Sequence, residues 1–138
     1  VEVELSELEQ QMKKILAGKS GITVQAEAGT IQGDQDLLLM LLTNLCDNAK
    51  KAGATRIEVT LSPEKIRVKD NGKGIEKEEQ EHIFEAFYQG DSSRNQEGFG
   101  LGLALCQKIA QLHHMKLAVE SQPGIGTTFY LYNSLTTL

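Results

Sequence analysis

Between Asp36 and Gly53 the chain reads DLLLMLLTNLCDNAKKAG, a helical run too apolar to lie on a surface. Such a helix must be covered on most of its circumference, so the rest of the chain has to supply a sheet and further helices around it. It reads as the central, core-forming helix. Asp34 or Asp36 can cap its start, and Gly53 can stop it. The 138 residues suffice for one domain that buries a core without disulfides or metal. No apolar run reaches the ~18 residues of a membrane span, and the N-terminus lacks a basic-then-apolar signal pattern. The abrupt start at VEVELSELEQQ reads as that of an excised domain.

The other segments fit this demand for cover. From Leu5 to Ala17 the apolar residues Leu5, Leu8, Met12, Ile15 and Leu16 recur at helical spacing; Ser6 and Glu9 match a capping box, and Gly18 and Gly21 close the helix. ITVQAEA alternates as a half-buried strand does, and TIQG can add a short second one. TRIEVTLS and KIRVKDNG are alternating runs joined through Ser62, Pro63 and Glu64, the pattern of a hairpin. KEEQEHIFEAF reads as a short charged helix ending on aromatics, and YQGDSSRNQEGFG as a polar, mobile loop. LGLALCQKIAQLHH returns to helical period, and MKLAVES and GTTFYLYN alternate around a turn at QPGIG. These mixed runs predict an α+β two-layer sandwich, one sheet with three main helices on a single face and the other face solvated.

Composition narrows the chemistry. A net charge of -5 lacks the electrostatic footprint of a general nucleic-acid binder, so any bound phosphate must be held locally by amides and a few cations. Cys46 and Cys106 sit in apolar helical runs without metal-ligand spacing, which reads as buried free thiols in a reducing, cytoplasmic compartment.

Three local signals carry possible function. Asn44, Asn48 and Lys51 stand four and then three residues apart on the apolar helix, so their side chains share one stripe. That stripe is either a solvent face or a ligand face. DNGKGI, residues 70 to 75, is either a tight turn or a corner where backbone approaches a flat ligand and Asp70 accepts from an exocyclic amine. In EGFGLGLALCQKIAQ, Gly98, Gly100 and Gly102 bring backbone N–H groups and the positive dipole end to a helix start, a phosphate-binding arrangement. It lacks the strand and spacing of a dinucleotide fingerprint and the Gly-Lys-Ser/Thr of a Walker loop.

Taken in this order, NLCDNAKKAG, DNGKGI and EGFGLGLA, with IFEAFYQGD between the last two and PGIGTTF at the end, resemble the catalytic ATP-binding domain of sensor histidine kinases. That family lies within the superfamily of the Hsp90, DNA gyrase and MutL ATPases. The resemblance runs from about Leu5 to Tyr132 and makes residues 1–138 one such domain, without the dimerisation and phosphoacceptor domain. It implies a Bergerat-type α/β sandwich, a mixed sheet with three main helices on one face and a mobile ATP lid.

The resemblance also implies roles. Asn48 matches the magnesium ligand and Lys51 a phosphate contact, both within the asparagine box that includes Asn44. Asp70 matches the aspartate that accepts from the adenine amino group, with Gly72, Gly74 and Ile75 along the ring and Thr127 reached through a water. Phe84 and Phe87 match the aromatic box. Residues 88–99 match the lid, with Arg94 an additional phosphate contact, and Gly98, Gly100, Leu101 and Gly102 cover the phosphates. Gly124 and Gly126 read equally well as turn glycines.

There are departures: Gln89 stands where the family often has arginine, and His113, His114 and Met115 replace its usual His-Gly-Gly, so that turn is expected to differ. Hydrolysing relatives place glutamate where this chain has Asn44, and an amide is a poor general base near neutral pH. The implied activity is therefore that of a protein histidine kinase in a two-component system. ATP and Mg2+ are its cofactors, its own dimerisation domain and a downstream response regulator its partners, and the isolated domain a monomer. The alternatives are an anti-sigma-type serine kinase and a degenerate nucleotide-binding scaffold.

Overall fold

A computed structural model describes residues 1–85 and 102–133. In it the apolar run becomes α2 (Gln35–Lys51), which buries Leu38, Leu39, Leu41, Leu42, Leu45, Cys46 and Ala49. Each large side chain among these contributes roughly 1.5–3 kcal/mol on leaving water, so burial outweighs the cap in fixing this helix. The cap is nevertheless formed: the Asp34 side chain accepts from the Leu37 amide at 3.0 Å.

The cover for α2 is a five-stranded sheet of β2 (Ile22–Ala26), β4 (Ile57–Leu61), β5 (Lys65–Asp70), β7 (Gly126–Asn133) and β6 (Met115–Gln122), adjacent in that order. β2 runs parallel to β4 and every other pair is antiparallel, which makes the sheet mixed. Register explains the core. Leu61, Ile66, Leu131 and Leu117 form one row across the sheet, and Val59, Val68, Phe129 and Val119 the next. The third row is Ile57, Asp70, Thr127 and Ser121, where an apolar face turns polar at its end.

Beside α2 lie α1 (Leu5–Ile15) and α4 (Gly102–Leu112), and Cys106 Sγ meets the Leu41 carbonyl at 3.6 Å. Both cysteines are buried free thiols, with Cys46 pushed up to about 11 and Cys106 to about 12, mainly by burial. His113 ties the end of α4 to the start of α2. Its Nε2 accepts the Asp34 amide at 3.0 Å, so Nδ1 carries the proton and donates to the Ile109 carbonyl at 2.8 Å.

Two expectations change. The Ser6–Glu9 capping box does not form: β1 (Glu2–Glu4) pairs with β3 (Thr30–Gln32) and runs straight into α1, so Ser6 lies inside the helix rather than before it. The charged helix is only α3 (Lys77–Gln80), followed by turns to Glu85. The turn at His113–Met115 keeps a left-handed residue, His114 at φ 57°, without a glycine to hold it. His114→Gly is accordingly expected to raise stability by about 0.5–1 kcal/mol, the strain relieved exceeding the entropy lost to a looser unfolded chain. Thermal unfolding should show a rise of a few degrees, and a fall would contradict the strain.

Candidate functional site

The site begins where β5 ends. The strand's alternation calls for an apolar side chain at position 70, yet the buried residue there is Asp70. Only 7% of it is exposed. Burial raises its pKa above the usual carboxylate range, while amides of Gly72 and Thr127 donate to it and pull the other way. The Gly72 amide lies 2.8 Å from Oδ1. An ionised carboxylate has about four acceptor positions, so capacity remains for a ligand's donor.

Neighbours hold this corner rigid. Ser121 Oγ accepts the Ile75 amide at 2.8 Å, donates to the Gly126 carbonyl at 3.0 Å and lies 2.8 Å from Thr127 Oγ1. With the Ser121 proton on Gly126, Thr127 must be the donor between the two hydroxyls, which leaves its oxygen able to accept from a water. Asn71 turns its amide away: Oδ1 accepts the Thr55 and Arg56 amides at 2.9 and 2.8 Å, and Nδ2 donates to Thr55 Oγ1 at 2.9 Å. It braces the turn after α2 and is committed inside the protein. Gly72 is excluded from carrying a side chain by the Ala52 carbonyl, 2.9 Å from where a Cβ would sit.

That Ala52 contact joins the corner to α2, as does the Lys73 amide on the Ala52 carbonyl at 2.9 Å. Going back along α2 from Ala52, the polar stripe runs through exposed Lys51 and half-buried Asn48 to Asn44. Asn44 Nδ2 donates to the Met40 carbonyl at 3.0 Å, which turns Oδ1 outward. Oδ1 is 3.7 Å from the place a Cβ would occupy on Gly102, the first residue of α4. No acidic residue occupies the first turn of α4, so its positive end is unopposed by its own sequence. The Asp70 corner and the α4 start thus stand at two ends of one stretch of α2, roughly 12 Å apart by helical rise.

A family model for the histidine kinase-, DNA gyrase B-, and HSP90-like ATPases matches residues 33–137. The chain belongs to this ATPase family. The adaptive-response sensory kinase SasA of Crocosphaera subtropica is 36% identical over 134 residues, covering 90% of this chain and 35% of SasA. Among solved structures, the mycobacterial sensor histidine kinase MprB has a TM-score of 0.79 at 25% identity, with 95% of each chain covered. The ATP binding domain of PrrB from Mycobacterium tuberculosis has a TM-score of 0.76 at 25% identity, covering 96% of this chain and 95% of that one. The mixed sheet with helices on one face is the histidine kinase type of ATPase fold, and the chain is an ATP-binding domain of that type. It spans about a third of the length of the sensor kinases it matches in sequence.

Within this ATPase domain the residues named from sequence fall into three groups. Asp70, Gly72, Ile75 and Thr127 come together at one corner, and Asn44, Asn48, Lys51 and Gly102 along α2 and the α4 start. Gly74 sits in the same corner, but its backbone is pressed against Gln122 and Pro123, which gives it a packing role inside the chain. Arg94, Gly98, Gly100 and Leu101 lie outside the described residues, as do Phe87, Gln89 and the lid segment. Phe84 packs edge-on to Phe129, ring centroids 6.2 Å apart. Ser121 was missed: one serine in an alternating strand carries no signal until the β6–β7 register sets it opposite Thr127. A cleft lined by Glu58, Lys69, Glu120 and Thr128 shares Asp70, Ser121 and Thr127 with this corner but does not reach Asn44, Asn48 or Lys51.

Proposed function

We propose that residues 1–138 form the catalytic domain of a sensor histidine kinase, which binds ATP with magnesium and donates the γ-phosphoryl group to a histidine on a separate dimerisation domain. A response-regulator aspartate then receives it, and the domain works on the cytoplasmic side. The observation that carries this reading is the α2 span, with a buried acceptor carboxylate at one end and a helix N-terminus facing Asn44 at the other. Asp70 accepts from the adenine amino group, Gly72, Gly74 and Ile75 lie along the ring, and Thr127 holds a bridging water. Lys51, Arg94 and the backbone of Gly98, Gly100, Leu101 and Gly102 bind phosphates.

The donor set suits magnesium that arrives with the nucleotide. No cluster of three or more His, Cys, Asp or Glu that could hold a metal exists among the described residues. Asn48 offers one amide oxygen, and magnesium prefers a few oxygen ligands from protein, the rest from phosphate and water. When bound, the ion neutralises phosphate charge. Asn44 is no general base, so water is left unactivated and transfer rests on positioning and charge neutralisation.

The test is a calorimetric titration with a non-hydrolysable ATP analogue, with and without magnesium, on the wild type and on Asn48→Ala. Binding should strengthen with magnesium, and Asn48→Ala should lose that gain, on the order of tenfold or more, while binding without metal changes little. Equal losses with and without magnesium would remove Asn48 from the metal site. No binding at all by a folded sample would favour a degenerate scaffold. Acid-stable phosphate on the acceptor protein would favour a serine kinase.

A further inference from the structure

β6 is the last strand of the sheet, and among the described residues it pairs only with β7. Its free side is touched at one end, where Gln80 Nε2 donates to the Ser121 carbonyl at 3.2 Å. That bond shows which main-chain groups point away from β7. Ser121 is one, and by the two-residue alternation of a strand Val119 and Leu117 are the others. An eight-residue edge without proline is a template for another strand.

The sequence of this edge, Lys116-Leu117-Ala118-Val119-Glu120, is complementary to itself when reversed. We propose that two copies of this chain associate through β6, antiparallel, about a two-fold axis at Ala118. Lys116 then faces Glu120 of the second copy, twice by symmetry. Leu117 and Val119 of opposite copies exchange their outward N–H and C=O groups, which makes four main-chain hydrogen bonds. Tyr130, diagonal to Glu120 on the neighbouring strand, shares the outer face with that carboxylate, which raises the pKa of its phenol. Other registers are disfavoured. A slip of one residue sets inward side chains opposite outward ones, a slip of two leaves Lys116 or Glu120 opposite Ala118 and loses the ion pairs, and a slip of four sets Lys116 against Lys116 or Glu120 against Glu120.

The result is a continuous ten-stranded sheet with both helical layers on one face. Asp70 lies on β5, two strands in from the joint, and neither Lys116 nor Glu120 is among the residues assigned to the nucleotide, so the association can be tested without ligand. This differs from the monomer that the family resemblance implies.

Sedimentation of the wild-type chain from about 10 µM to about 1 mM should show a reversible monomer–dimer equilibrium. Lys116→Glu or Glu120→Lys should each weaken it by about tenfold or more, because like charges then face each other twice. The double variant Lys116→Glu/Glu120→Lys should recover it, and so should an equimolar mixture of the two single variants. Exchange of the Leu117 and Val119 amides should slow as concentration rises. A monomer throughout the range overturns the proposal. So do single variants that associate as the wild type does, or Leu117 and Val119 amides indifferent to concentration. Melting curves confirm that each variant is folded.

Discussion

Asp70→Asn is expected to leave a folded domain whose affinity for ATP has dropped roughly a hundredfold to a thousandfold. The substitution keeps the shape of the side chain and one oxygen for the Gly72 amide, 2.8 Å away in the native protein. What it removes is the second acceptor, putting a donor where the adenine amine would also donate. Stability moves the other way. Burial sets the folded pKa of Asp70 above its ordinary 3.8, so the folded chain holds that proton more tightly than the unfolded one. The stability this group contributes is fully present below pH 3.8 and is lost as pH rises through the folded value. At neutral pH the native carboxylate is a net cost, and the variant should melt at or slightly above the wild type. Nucleotide binding, which on the role proposed for Asp70 needs the ionised form, should weaken as pH falls through that same raised pKa, before an ordinary aspartate would titrate. Calorimetry across pH with parallel melting curves checks both. Unchanged affinity would remove Asp70 from the adenine site, and a collapsed fold would recast it as a structural group.

The same residue shows how far the sequence could be read. α2 was legible because its apolar period is long and no other arrangement buries it, and the hairpins because alternation and turn residues agreed. The failed capping box had a non-local cause. β1 pairs with β3, and the Leu5 amide bonds the Gly29 carbonyl at 3.0 Å, so the chain enters α1 already fixed and Ser6 arrives too late to cap. At the site, each motif alone admitted a bland reading, and for Asn71 the bland reading holds, since both ends of its amide are spent on the turn at Thr55 and Arg56. Asp70 differs because its strand places it inward beside Thr127 and Ser121. That row emerges only from register: the two hairpin turns fix β4 on β5 and β6 on β7, but the β5–β7 pairing that sets Asp70 opposite Thr127 joins strands far apart in the chain and has no local signal.

Gly74 and Gly53 separate two reasons for glycine and give the largest expected loss of stability. Both are left-handed, at φ +76° and +82°. Around Gly53 nothing lies within 4 Å of a Cβ, so Gly53→Ala meets only the dihedral penalty, about 1 kcal/mol. At Gly74 the same Cβ would stand 2.3 Å from the Gln122 carbonyl oxygen and 2.9 Å from Pro123 Cα. These are backbone atoms of the β6–β7 turn and cannot swing aside as a side chain can. Gly74→Ala should therefore cost about 3 kcal/mol or more, a large fraction of the 5–15 kcal/mol typical of a whole domain. The strain has a functional direction. Pushing the turn outward moves Ser121 from the Ile75 amide and with it Thr127, so the Asp70 corner opens. Thermal unfolding should place Gly74→Ala about 10 °C or more below the wild type and Gly53→Ala only a few degrees below. ATP affinity should fall in the first and hold in the second. Equal melting temperatures for the two variants would mean that the turn yields to the new methyl group, and that Gly74 is kept for its dihedral angle alone.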